Sequence, residues 1–311
     1  MQRKKQKVLS RITLGVVLVA MVFSMISPVF ADSSAPYVAF GADLTPSQKQ
    51  TVMDALGVTD EDLKNDTTLT VTNADEHQYL DGKVSSSLIG TKALSSCMVQ
   101  EAASGSGIKV TTQNISYCTP SMYENALATA GMKDATVTVA GPYNISGTAA
   151  LVGAMKAYSA MTGKTVDQSQ VSTASQELAT TGQVAKDTGD PAKTSELIAA
   201  VKSQTAGKNM DADDIGKAVD KTADKLDLNL STGDRTQIIN LMVNLSKLDL
   251  NANDLANQAQ RVYQNAVKDG LNLSKYGIST GTLKDIGAQT PGVLKQFIGW
   301  LKTLVGQSTT A

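Results

Sequence analysis

Tyr37-Val38-Ala39-Phe40-Gly41-Ala42-Asp43-Leu44-Thr45-Pro46-Ser47-Gln48 changes character halfway along. The apolar run Tyr37–Phe40 stops at Gly41, which predicts a short strand. Thr45 then supplies an N-cap, Pro46 suits the first helical position, and Gln48 stands where a capping box needs it. The helix so begun runs to Leu56 and ends at Gly57. Strand passes directly into helix, and the same alternation recurs downstream. Thr68–Thr72 reads as a strand and Ala74–Leu80 as a helical turn. Thr119-Pro120 caps a helix that Gly131 ends, Ala135–Ala140 is a β-branched strand, and Thr148–Met161 is an apolar helix. The fold class predicted is α+β, with a mixed α/β domain over residues 32–163.

Lys92–Gln100 and Ile108–Tyr117 read as two strands of one β-hairpin, joined through Ser104-Gly105-Ser106-Gly107. The two cysteines, Cys97 and Cys118, fall on or beside them. A tight turn centred on Gly107-Ile108 would put Cys97 opposite Cys118. A disulfide there would stabilise the fold by about 3 kcal/mol in the chain-entropy picture. A four-residue loop at Ser104–Gly107 would instead set Cys97 against Asn114, too far for pairing. The alternative to the disulfide is two small buried thiols.

After Gly163 the strand signals stop, and an α-helical region is predicted over residues 164–289. Thr180–Thr194, with Gly182, Gly189 and Pro191, reads as a loop or hinge. Amphipathic helices follow at Ser195–Ala206, Asp213–Leu226, Thr232–Lys247 and Asn253–Val267. Lys-Leu-Asp-Leu-Asn occurs at 225–229 and again at 247–251, an echo too short for a solenoid. Residues 290–311 form a last element, a helix capped by Thr290-Pro291 with Val293, Leu294, Phe297, Ile298, Leu301, Leu304 and Val305 on one face. It suits docking on its own chain, on a membrane surface or in a partner's groove.

The front of the chain sets its compartment. Arg3, Lys4, Lys5, Lys7 and Arg11 precede an apolar run from Ile12 to Ile26, and Val29-Phe30-Ala31 is a small-residue exit. Residues 1–31 therefore read as a signal peptide cleaved after Ala31. A secreted or cell-envelope location follows, with no nucleotide chemistry. Those five basic residues come out of 28 Lys and Arg set against 29 Asp and Glu, so the remaining chain is acidic. An acidic chain argues against nucleic acid as a partner and leaves cell-wall or membrane surface components. The single Trp offers little stacking surface for a polysaccharide.

Chemistry-bearing motifs are thin. Gly163-Lys164-Thr165 resembles the end of a phosphate loop, but Tyr158 stands where the first glycine belongs. The acidic run from Asp211 and the Asp249, Asn251, Asn253 spacing both fail the calcium-loop pattern and suit helix N-termini. One histidine, His77, cannot build a multi-histidine zinc site. No G-x-S-x-G elbow is present. No catalytic residue, metal or cofactor is assigned.

Several segments resemble a known family. They are Phe40-Gly41-Ala42-Asp43-Leu44 with Gln48, Thr70-Val71-Thr72-Asn73 leading to Glu76-His77-Gln78-Tyr79-Leu80, and Asn114-Ile115-Ser116. Met122-Tyr123-Glu124-Asn125-Ala126-Leu127, Thr129-Ala130-Gly131 and Ile145-Ser146-Gly147-Thr148-Ala149-Ala150-Leu151 complete the set. Together they are similar to the secreted YpuA-like family of Gram-positive bacteria, a domain of unknown function. The resemblance implies an extracytoplasmic bacterial protein and brings no reaction with it.

The function expected is a non-catalytic binding module of the envelope. Its candidate ligand surface is Gly41, Asp43, His77 and Tyr79, at the exits of the first two strands. The alternatives are an extracellular hydrolase of wall peptide or glycan, and a membrane-peripheral protein held by its C-terminal helix.

Overall fold

The computed structural model describes residues 35–208 and 210–268. Its first strand, β1 (Tyr37–Gly41), leads into α1 (Pro46–Leu56) through the capping box expected at Thr45 and Gln48. Gly57 ends that helix with φ of 73°, a conformation only glycine adopts without strain. Then come β2 (Thr67–Val71), α2 (Asn73–Leu80) and the short α3 (Ser86–Ile89). β3 (Ser96–Glu101), β4 (Ile108–Ile115), α4 (Pro120–Thr129), β5 (Ala135–Ile145) and α5 (Thr148–Thr162) complete the mixed part.

The five strands make one sheet in the order β2-β1-β3-β5-β4. The outer pairs are parallel, and the two pairings made by β3 are antiparallel. Alternate residues face opposite sides. Val38 and Phe40 join Val52, Met53 and Leu56 of α1 in a small cluster, while Ala39, Cys97, Val99, Val137 and Val139 face the main core under α5.

This order corrects the predicted hairpin. β3 and β4 are not partners, because β5 lies between them. The reason lies in their faces. β5 buries Ala135, Val137, Val139, Ala140 and Gly141, the pattern of an interior strand. β4 buries only Ile108 and Val110 and leaves Lys109, Thr111 and Gln113 in solvent, the pattern of an edge. The segment between β3 and β4 makes its bonds to the entrance of β5: Ala102 donates to Asp134 at 3.0 Å, and Gly107 O accepts from Ala135 at 3.1 Å. The disulfide expected from the hairpin falls with it. Cys97 lies across from Ala39 and Val139, and both cysteines are free, buried thiols.

Beyond Gly163, which caps α5 with φ of 65°, the chain is helical: α6 (Gln168–Thr188), α7 (Pro191–Thr205), α8 (Ala212–Leu226), α9 (Thr232–Leu245) and α10 (Ala252–Lys268). The predicted hinge at Thr180–Thr194 is corrected. α6 runs straight through Gly182, and only Gly189 and Asp190 separate it from α7. Gly182 is there for room: a Cβ on it would collide with the Tyr117 hydroxyl. Asp211 and Asn251 cap α8 and α10 through backbone amides, as their spacing suggested.

α7 is buried on every side from Thr194 to Lys202 and forms the axis of the helical part. One apolar core runs from the sheet through α4 and α5 into α6, α7, α8, α9 and Leu255 of α10. The predicted signal peptide and C-terminal helix lie outside the described residues.

Candidate functional site

The four residues expected to form a ligand surface lie at the β1 and β2 exits, and two are drawn to one point. Asp43 Oδ2 accepts from the Ala93 amide at 2.8 Å, and the Asp43 amide donates to Ala93 O at 3.1 Å. Gly41 is buried and donates to Ser96 Oγ at 3.1 Å; a Cβ on it would meet the main chain of Ala93 and Leu94. Both residues hold the segment entering β3. His77 and Tyr79 stand on α2. The His77 ring pairs with Asp81 at 2.7 Å, one turn along the same helix. Tyr79 packs partly buried on the core, and its carbonyl accepts from Lys83 at 3.3 Å.

Between these groups lies a residue that sequence reasoning did not single out. Glu76 is 1% exposed. Its carboxylate accepts from Thr148 Oγ1 at 2.8 Å and from Asn73 Nδ2 at 3.4 Å. Burial pushes it up to about 7; the bonds from Thr148 and Asn73 and the nearby His77 oppose the rise, and Asp43 adds to it. The duty of Glu76 is local. α5 starts from Gly147, which has no side chain to cap it. Ser95 Oγ therefore accepts from the Ala150 amide at 2.9 Å, and Glu76 anchors Thr148 beside it. Tyr123 closes the same corner by donating to Gly147 O at 2.6 Å. Cys97 and Cys118 lie near Tyr123, and burial pushes both thiols up to about 12, far from the thiolate that redox or nucleophilic work requires.

Among the described residues, two grooves offer places for a ligand. The first, of about 640 Å³, lies where α10 crosses the start of β4. Several polar groups in and beside it are engaged with one another or with the main chain, while the Gln170 and Asn257 carboxamides of its lining make no hydrogen bond among the described residues. Gln258 pairs with the Ile108 main chain, accepting from N at 3.0 Å and donating to O at 3.2 Å, and Glu124 accepts from the Val110 amide at 3.1 Å. These side chains stand in for a missing neighbour strand on that edge. Lys133 pairs with Asp254 at 2.9 Å, and Arg261 donates to Gly105 O at 3.0 Å.

The second groove, of about 800 Å³, is built differently. One wall is the loop after α2 with α3, and the other is formed by α6 and α9; Tyr117 takes part in the lining. Gln176 and Gln183 on α6 and Gln237 and Asn240 on α9 contribute carboxamides, while Lys83 is the charged residue of the lining. Gln176 accepts from Asn244 at 2.9 Å, and Gln183 donates to Asp187 at 2.8 Å. The side chains of Gln237 and Asn240 are exposed and make no hydrogen bond among the described residues. No sequence motif marks this set. Gln and Asn are ordinary on a helix surface, and the two helices lie far apart in the chain.

Among the described residues no group of three His, Cys, Asp or Glu is placed to hold a metal ion, and no helix is long and apolar enough to cross a membrane. No solved structure matches the chain. It is 36% identical over 265 residues to a protein of Bacillus subtilis (strain 168) described as "Uncharacterized protein YpuA", covering 84% of this chain and 90% of that one. Residues 40–262, which take in nearly the whole described fold, match the family "Protein of unknown function (DUF1002)". The chain therefore belongs to the DUF1002 family and is a relative of YpuA.

Proposed function

We propose that this protein is exported and acts in the cell envelope as a non-catalytic binding module, with the groove between α6, α9 and the Gly82–Leu88 segment as its ligand site. The observation that carries the reading is a contrast between the groove and the interior. Inside, Glu76 and the Glu177–Lys202 pair are tied into helix termini and helix packing. The groove instead presents neutral donors and acceptors that the fold does not use, which is the composition of a recognition surface. Export is supported by the basic, apolar leader and its small-residue exit at Ala31.

The test is retention of envelope material on the immobilised protein, with Gln237→Ala/Asn240→Ala as comparison. Both positions are exposed on α9, so the fold is expected to survive the change. Envelope components held by the native protein and lost by the variant support the groove as the site. Equal retention by both removes it. Turnover of wall peptide or glycan during the incubation would replace a binding module with a hydrolase.

A further inference from the structure

The unused groups of the second groove have a shared chemistry. α6 shows this most sharply. Thr173, Ser175, Thr181 and Thr188 each return their hydroxyl to the carbonyl four residues back, at 2.7 to 2.9 Å. Thr180, only 6% exposed and part of the groove lining, does not. Beside it the Tyr117 hydroxyl lies against Gly182 and also has no hydrogen-bond partner among the described residues. On the same wall stand the carboxamides of Gln237 and Asn240, set three residues apart on one side of α9. Lys83 donates one of its three ammonium N–H groups to the Tyr79 carbonyl and keeps its charge.

Building on the binding reading above, we infer that this groove holds the main chain of an extended polypeptide segment. A carboxamide offers an N–H and a C=O on one planar fork, the same pair that a peptide group presents. The protein already uses this match internally. Gln258 grips both main-chain groups of Ile108, Asn125 donates to Ser195 O at 3.0 Å, and Asn114 donates to Gly141 O at 3.1 Å. Gln237 and Asn240 present the same fork to the outside, and the Thr180 and Tyr117 hydroxyls belong to the same lining. A cationic ligand finds no carboxylate in this lining. A glycan finds one tyrosine, where sugar recognition leans on broad aromatic faces.

The experiment follows the side-chain amide signals of Gln237 and Asn240 and the Tyr117 ring by NMR in the ¹⁵N,¹³C-labelled protein. Two probes are added separately: a mixture of short peptides containing only Gly, Ala, Ser, Thr, Asn and Gln, and chitotetraose. Saturable shifts of these signals with the peptides are expected, with affinity, read in Gln237→Ala/Asn240→Ala from the Tyr117 ring, falling roughly tenfold. Shifts with chitotetraose and none with peptides would overturn the polypeptide assignment while leaving the binding site intact. Silence with both probes would overturn the assignment and the binding reading together, as would Tyr117 shifts with the peptides whose affinity the double substitution leaves unchanged.

Discussion

Glu196 lies on the most enclosed helix, fully buried, and neither carboxyl oxygen has a hydrogen-bond partner. Burial alone pushes its proton affinity well above the usual carboxylate range. Lys202, on the same helix, is committed to Glu177. An ionised carboxylate left alone in such a place would cost several kcal/mol, roughly, so the neutral acid is the form that fits. The sign for stability follows. The folded pKa lies above the unfolded one, so the folded state holds its proton longer. The stability this gives is complete at low pH and is lost as pH climbs from the unfolded value toward the folded one. Glu76, raised to about 7, acts in the same sense. Urea midpoints measured at about pH 5 and about pH 9 should therefore drop more steeply in the native protein than in Glu196→Gln. Equal slopes would show that the carboxyl finds a partner or water.

At the scale of elements, what could be read from the sequence was whatever is written locally. Thr45, Thr72, Thr119, Asp211 and Ser231 each accept from a backbone amide within their own first turn, and the sequence carries that signal in adjacent letters. Sheet order has no such signature. β3 and β4 are neighbours in the chain, yet the strand between them, β5, comes later and is chosen by its two buried faces. Gly182 misled for a related reason: glycine marks a break when judged by its neighbours, but here its smallness serves a contact with Tyr117 that is distant in sequence. The groove was hidden in the same way, since its carboxamides become a set only once α6 and α9 lie side by side. Gly182→Ala tests the contact. Its methyl group would force Tyr117 from its seat, costing about 1–3 kcal/mol in urea unfolding without breaking α6. The same substitution together with Tyr117→Ala should recover part of that loss, because the crowding is then gone. A Gly182→Ala protein as stable as the native one would mean that Tyr117 moves aside freely, and the groove would lose its fixed hydroxyl.

For the whole molecule the question is whether the sheet and the helical part stand or fall together. Their shared core is apolar, but one polar knot crosses it. Lys202 on α7 donates to Glu177 of α6 at 2.7 Å, to the Asn125 carbonyl of α4 at 2.8 Å, and to Thr129 at 3.2 Å; Thr129 in turn donates to Glu177. Both ions of the pair are at most 1% exposed. Such a knot adds little net stability over an apolar filling, because desolvation offsets most of the attraction, yet it fixes which faces of three helices meet. Lys202→Met removes one partner and strands the other, so a loss of about 3–5 kcal/mol is expected. Lys202→Met with Glu177→Leu removes both charges and should regain most of it. Since α4 packs on β4 and α7 on the helical bundle, the single variant should still unfold in one step, with far-ultraviolet dichroism and tyrosine fluorescence coinciding. If the helices melted first while the tyrosine signal of the sheet side held, the knot would join two separate folding units and not the interior of one.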